Sequence, residues 1–100
     1  MNFLYISADM TVTYNDATAD STALTTGTCT YALKTADGTA VSIGTGTLTH
    51  SSAGDYAGVI ESTVTATLTE NALYRLEITF VQGAYNDFRR LLCKAVYRGT

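Results

Sequence analysis

Tyr74-Arg75-Leu76-Glu77-Ile78-Thr79-Phe80 decides the fold. Apolar and polar residues alternate through it without a break. Tyr74, Leu76, Ile78 and Phe80 therefore share one face of an extended chain, and Arg75, Glu77 and Thr79 share the other. Toward the C-terminus, residues 82–86 turn the chain. Residues 87–98 then form a last strand, with Leu91, Cys93, Ala95 and Tyr97 inward and Arg90, Lys94 and Arg98 outward. Toward the N-terminus lies a crossing over residues 61–71. Its Thr63, Thr65, Thr67 and Thr69 argue for extended or irregular chain, because β-branched residues lose χ1 freedom in a helix. A strand over residues 55–60 precedes it. Residues 40–49 form another, which Gly44 and Gly46 bend or bulge. Residues 28–34 put Cys29, Tyr31 and Leu33 inward. They join the next strand through Ala36-Asp37-Gly38-Thr39, where Asp-Gly suits the positive φ values of a two-residue primed turn. Residues 15–26 are polar and read as a loop. Met10, Val12 and Tyr14 mark one face of a strand, and Phe3-Leu4-Tyr5-Ile6 is a short apolar run.

About seven short strands at roughly ten-residue spacing are the pattern of an all-β, antiparallel sandwich or small barrel. They occupy one domain over residues 1–100, with no internal repeat and no linker. The core expected from alternation is Leu33, Tyr56, Leu76, Ile78, Phe80, Leu91 and Cys93. The 19 threonines and the absence of proline agree with pleated sheet.

Charge is scarce and uneven. In residues 1–74 one lysine stands against seven carboxylates, a net of −6; in residues 75–100 five cations stand against two carboxylates, a net of +3. The overall −3 disfavours nucleic acid as the main ligand. The basic C-terminal strand reads either as a solvated edge protected by its charges or as a polar contact with the acidic face of a neighbour. No secretion signal is read in the first residues, because Asp9 follows the short apolar run at once. Cys29 and Cys93 lack metal-ligand spacing and are expected as reduced thiols on inward faces, close enough for contact if the strands bring them together.

Reactive groups are few. His50, the single histidine, lies beside Ser51 and Ser52 at a strand end and reads as a solvated loop residue. No Gly-x-Ser-x-Gly elbow is present. Asp16 and Asp20 with Asn15 lack the regular ligand register of a calcium loop, and turn chemistry explains them. Gly44-Thr45-Gly46-Thr47 has no lysine to make a phosphate loop. No catalytic, cofactor-binding or metal-binding residue is assigned. Arg89, Arg90, Lys94 and Arg98 form the candidate contact edge, with Phe3 and Tyr5 as a second element in an N-terminal segment, residues 1–9, that packs on a partner.

Together Met10-Thr11-Val12-Thr13, Ala32-Leu33-Lys34-Thr35-Ala36-Asp37-Gly38-Thr39-Ala40-Val41, Ala53-Gly54-Asp55-Tyr56, Leu73-Tyr74 and Ala95-Val96-Tyr97-Arg98 resemble the small immunoglobulin-like structural proteins of tailed-bacteriophage virions. The resemblance spans about residues 10–98. It departs from the family pattern at residues 61–71, where a proline-bearing entry to the crossing is expected. It implies an immunoglobulin-like β-sandwich and a non-enzymatic virion component, made in the bacterial host cytoplasm. The implied role is joining or decorating head and neck proteins, as a head–tail connector or decoration protein. The implied partners are capsid, portal, neck or tail proteins and copies of the chain itself, with no cofactor and no membrane. The alternative from another class is a carbohydrate- or host-surface-binding β-sandwich module. An exposed aromatic pair beside a polar groove favours that alternative; a flat polar edge and a docked N-terminal segment favour the virion component.

Overall fold

The computed structural model describes residues 2–15, 17–19 and 22–99. Its elements are β1 (Asn2–Tyr5), β2 (Met10–Tyr14), β3 (Thr18–Ala19), β4 (Thr22–Ala23), β5 (Thr28–Thr35), β6 (Ala40–Ser52), β7 (Asp55–Ile60), α1 (Ser62–Thr65), β8 (Leu73–Gln82) and β9 (Tyr85–Val96). Seven strands make one sheet in the order β1-β9-β8-β5-β6-β7-β2, and β3 and β4 form a small hairpin where the sequence reads as loop. Among the described residues the protein is all-β apart from the single turn of α1. One pair departs from the antiparallel expectation: β1 runs parallel to β9, with Asn2 opposite Cys93 and Tyr5 opposite Val96.

The sheet is nearly a barrel, and β6 makes it so. Its first part pairs with β5, down to Leu48 opposite Cys29. From Thr49 onward it pairs with β7 instead. One long strand thus belongs to both walls and carries the sheet round a corner. The walls meet through aromatic rings: Tyr14 of β2 stacks on Phe80 of β8 with centroids 5.1 Å apart, and Tyr56 of β7 meets the same ring edge-on at 5.1 Å. Such pairs bury large apolar area and add their own quadrupole attraction.

The alternation of β8 is realised: Tyr74, Leu76, Ile78 and Phe80 are all buried. Leu33, Tyr56 and Cys93 join them. Leu91 does not, since it is 39% exposed. Its parity points it inward, but on its far side β9 gains a strand partner only from Cys93 onward, where β1 lies. Tyr97 is likewise exposed, because β9 ends at Val96 and the alternation ends with it. Cys29 and Cys93 are buried and unbonded. Cys29 stands opposite Phe80 and Cys93 opposite Tyr74 on the same strand. At about 3.3 Å per residue that separates them by roughly 20 Å, beyond the reach of a disulfide.

Two local geometries differ from the sequence expectation. The β5–β6 turn is not a two-residue primed turn. Gly38 donates its N–H to the Thr35 carbonyl at 2.9 Å, and Thr35 donates its own to the Thr39 carbonyl at 2.8 Å. Gly38 has φ 94, whereas Asp37 is absent from the positive-φ residues. This is a type I turn closed by a left-handed glycine. The Asp37 carboxylate serves it by accepting hydrogen bonds from the Thr35 hydroxyl and the Thr39 N–H. In β6 the expected irregularity is a bulge: residues 41–44 stand against Leu33 alone, between the pairs Thr45–Ala32 and Ala40–Lys34. Farther along β6, Gly46 leaves room for the Tyr31 ring, which a Cβ there would approach to 2.6 Å. The Tyr31 hydroxyl then reaches the Val59 carbonyl at 3.2 Å.

The crossing begins with α1 rather than extended chain, and a turn before β2 holds it in place. The Thr65 hydroxyl is fully buried; it donates to the Ala8 carbonyl at 2.8 Å and accepts from the Ala8 N–H at 3.1 Å. Asp9 accepts the Ser62 N–H at 2.7 Å, capping the helical turn from across the chain. At the far end the Tyr74 hydroxyl accepts the Thr69 N–H at 2.8 Å.

Candidate contact surface

β9 is the strand that gathers the candidate residues. Its pairing with β8 is unbroken from Tyr85 opposite Gln82 to Lys94 opposite Leu73. Alternation places Phe88, Arg90, Leu92 and Lys94 on the outer face and Asp87, Arg89 and Leu91 on the inner side. The sheet register sets Phe3 of β1 beside Lys94. The structure therefore sets Arg90, Lys94, Arg98, Phe3 and Tyr5 along β9 and β1, while Arg89 faces the inner side. The others form two clusters rather than one patch. β1 (Asn2–Tyr5) belongs to the chain's own sheet, with Leu4 and the following Ile6 buried.

The first cluster centres on Glu77, a carboxylate only 6% exposed on the outer face. Lys34 reaches it at 2.8 Å and Arg90 at 3.0 Å. The Lys34 ammonium, joined by Arg90, holds the Glu77 carboxyl below the usual carboxylate range against the opposing effect of burial. Two cations share one anion, so the cluster keeps a positive charge. The Arg90 guanidinium also stands 5.6 Å from the Phe88 ring.

On the inner side, Asp87 accepts the Tyr14 hydroxyl at 2.6 Å and the Arg89 Nε–H at 3.3 Å. The Tyr14 bond, with help from Arg89, lowers the Asp87 carboxyl despite some burial. Burial first, and then Asp87, push the Tyr14 phenol far above its ordinary value. The Arg89 guanidinium lies 4.2 Å over the Tyr14 ring. This set ties β9 to β2 across the open side of the barrel, where no backbone ladder joins them.

The second cluster lies at the other end of the border. Arg98 stacks 4.5 Å over the Tyr5 ring, and the Phe3 and Tyr5 rings are 6.5 Å apart. Lys94 and Arg98 have no ion pair with an acid among the described residues. Large apolar residues share the border with these cations: Phe88 is 52% exposed, Leu92 47% and Phe3 46%. Apolar surface interleaved with arginine suits a buried contact with another molecule.

Lys34 and Arg90 lower the Glu77 carboxyl, and the Tyr14 hydroxyl with Arg89 lowers that of Asp87, so both serve as anionic partners within the fold. His50 is exposed, with its ring 5.4 Å from Tyr56. Among the described residues no three His, Cys, Asp or Glu side chains converge as metal ligands, and the Asp16/Asp20 calcium reading lies outside the described residues. Among the described residues no helix is long and apolar enough to cross a membrane.

Sequence reasoning missed three parts of this surface. Alternation put Glu77, Lys34 and Arg90 outward, but only the register shows that they meet. Phe88 and Leu92 were legible as outward apolar residues of the last strand and were passed over. The Tyr14–Asp87 pair left no signal, because 73 residues separate its members. Compared with known proteins, the chain matches no family model, no curated protein and no solved structure.

Proposed function

We propose that this protein is a non-enzymatic structural component of a tailed-bacteriophage particle, with an immunoglobulin-like β-sandwich as its body. It joins or decorates head and neck proteins through protein–protein contacts at the β1–β9 border. One observation carries the contact role: Phe3, Phe88 and Leu92 stay exposed on the same border as Lys94 and Arg98. Isolated exposed apolar residues are ordinary, but an apolar and cationic row along one strand border marks an interaction site.

Two features support the immunoglobulin-like part. The bend within β6 divides the seven-stranded sheet into walls β1-β9-β8-β5-β6 and β6-β7-β2, which supports a two-walled reading. Tyr74, near the start of β8, bonds back to the backbone at Thr69, as a tyrosine corner does. The virion role rests on the family resemblance and on this border. Its test is the protein content of phage particles purified through a density gradient. We expect the chain at a fixed copy number per particle; its absence from intact particles overturns the role.

A second reading has its own observation. Phe88 stands at the rim of a shallow depression on the outer face, lined by Thr30, Thr45, Thr47, Thr79 and the Lys34–Glu77 pair. An aromatic ring beside hydroxyls and a charged pair suits a sugar ring. Glycan-array binding that is lost in Phe88→Ala favours this carbohydrate-binding module over the virion component.

A further inference from the structure

The open side of the barrel is a slot between two strand edges, floored by apolar side chains. Among the described residues β2 ends the sheet, so its outer edge has no strand partner, and β9 has none on that side before Cys93. Between these edges lies a cavity of about 170 Å³, lined mainly by apolar side chains such as Leu4, Val12, Ile78 and Leu91, with Thr11 and Thr13 of β2 also on its wall. An apolar cavity of about 150 Å³ accepts a guest the size of benzene. The slot is closed at one end by β1 and bridged at the other by the Tyr14–Asp87–Arg89 set. From Asp87 to Cys93 it runs along roughly 20 Å of strand, enough for about six extended residues.

We infer that this slot receives an extended segment of a partner protein, which adds a strand between β2 and β9. The segment carries apolar residues at alternate positions and acidic residues between them. Each part of that chemistry has a cause. Unpaired N–H and C=O groups along a strand edge are completed by another backbone. Alternate side chains of the incoming strand point into the cavity and meet Leu76, Ile78 and Leu91. The intervening ones lie outside, next to Arg90 on β9, where Lys34 and Arg90 share one carboxylate and positive charge is in excess. A second copy of this chain is a poor occupant. Among the described residues its strands already lie in the seven-stranded sheet, except the β3–β4 hairpin, whose Thr18-Ala19 and Thr22-Ala23 offer no large apolar side chain.

This inference rests on the reading of the protein as a contact module, and its test addresses the slot alone. The probe is a fluorescein-labelled nine-residue synthetic peptide that alternates valine with glutamate. Its controls are a peptide of the same composition with the valines grouped and one with lysine in place of glutamate. We expect anisotropy to show binding at least about tenfold tighter than either control. We also expect bound peptide to slow amide exchange at alternate residues of 86–92 and within β2. Leu91→Glu should weaken binding about tenfold or more, with Val59→Glu, on the exposed side of β7, unchanged. If Leu91→Glu fails to fold, Leu91→Thr serves, with a smaller loss. Equal affinity for the grouped-valine peptide, protection confined to other strands, or self-association abolished by Leu91→Glu each overturns the inference. Normal particle incorporation of Leu91→Glu beside absent peptide binding overturns the slot and spares the virion role.

Discussion

Single residues carry much of this architecture, and Ile78 is the simplest case. It is 2% exposed at the centre of β8. Ile78→Ala removes buried methyl and methylene groups and leaves a cavity, so denaturant unfolding should show a loss of about 2–5 kcal/mol. Ile43 is the opposite case. It has φ 52 in the β6 bulge and is 68% exposed, so a β-branched residue holds a left-handed conformation with little burial to offset it. Ile43→Asn should therefore raise stability, by about 1 kcal/mol, in the same measurement. Glu77 sets a pH dependence. Its folded value lies below the ordinary 4.5, as that of Asp87 lies below 3.8. A carboxyl depressed in the fold contributes stability above its unfolded value and loses it as the pH falls through the folded value. Melting temperature should accordingly drop below about pH 4. Glu77→Gln should lower it at neutral pH, where Lys34 and Arg90 lose their anion, and flatten that acid limb.

At the scale of elements, strand periods were legible and strand meetings were not. The alternation in β8 and β5 placed Tyr74, Leu76, Ile78, Phe80, Cys29 and Leu33 in the interior, because period 2 is a property of the chain itself. Leu91 broke the rule because burial needs a covering strand, and no local pattern says which edge lacks one. The parallel turn of β1 onto β9 and the change of partner within β6 are tertiary choices of the same kind. The Asp-Gly turn was legible as a turn but not as a type, since its extra residue depends on the register of β5 against β6. Arg90, Lys94 and Arg98 were legible as basic and outward; their division into a Glu77 cluster and a Tyr5 cluster was not. That division affects the choice of variants. Arg90→Glu sets a second carboxylate against buried Glu77 and should destabilise the fold, whereas Lys94→Glu and Arg98→Glu meet no acid among the described residues. Thermal unfolding should separate them, with Arg90→Glu melting lower and the other two within about 0.5 kcal/mol of the parent.

For the whole molecule, the aromatic centre holds the two walls together and the β1–β9 border leaves apolar and cationic groups to other molecules. The acidic remainder of the chain makes that border stand out, and under the proposed contact role it would steer a partner with an acidic surface toward it. Such steering weakens with salt, and association through Lys94 and Arg98 should fall as ionic strength rises. The copy number of Lys94→Glu/Arg98→Glu chains in purified particles, measured beside the melting temperature of the isolated variant, tests the contact role most directly. We expect incorporation to fall about tenfold, equivalent to roughly 1.4 kcal/mol of contact energy, while the melting temperature stays at that of the parent. Incorporation at the parental level by a folded variant would contradict it and leave the basic strand as a solvated edge.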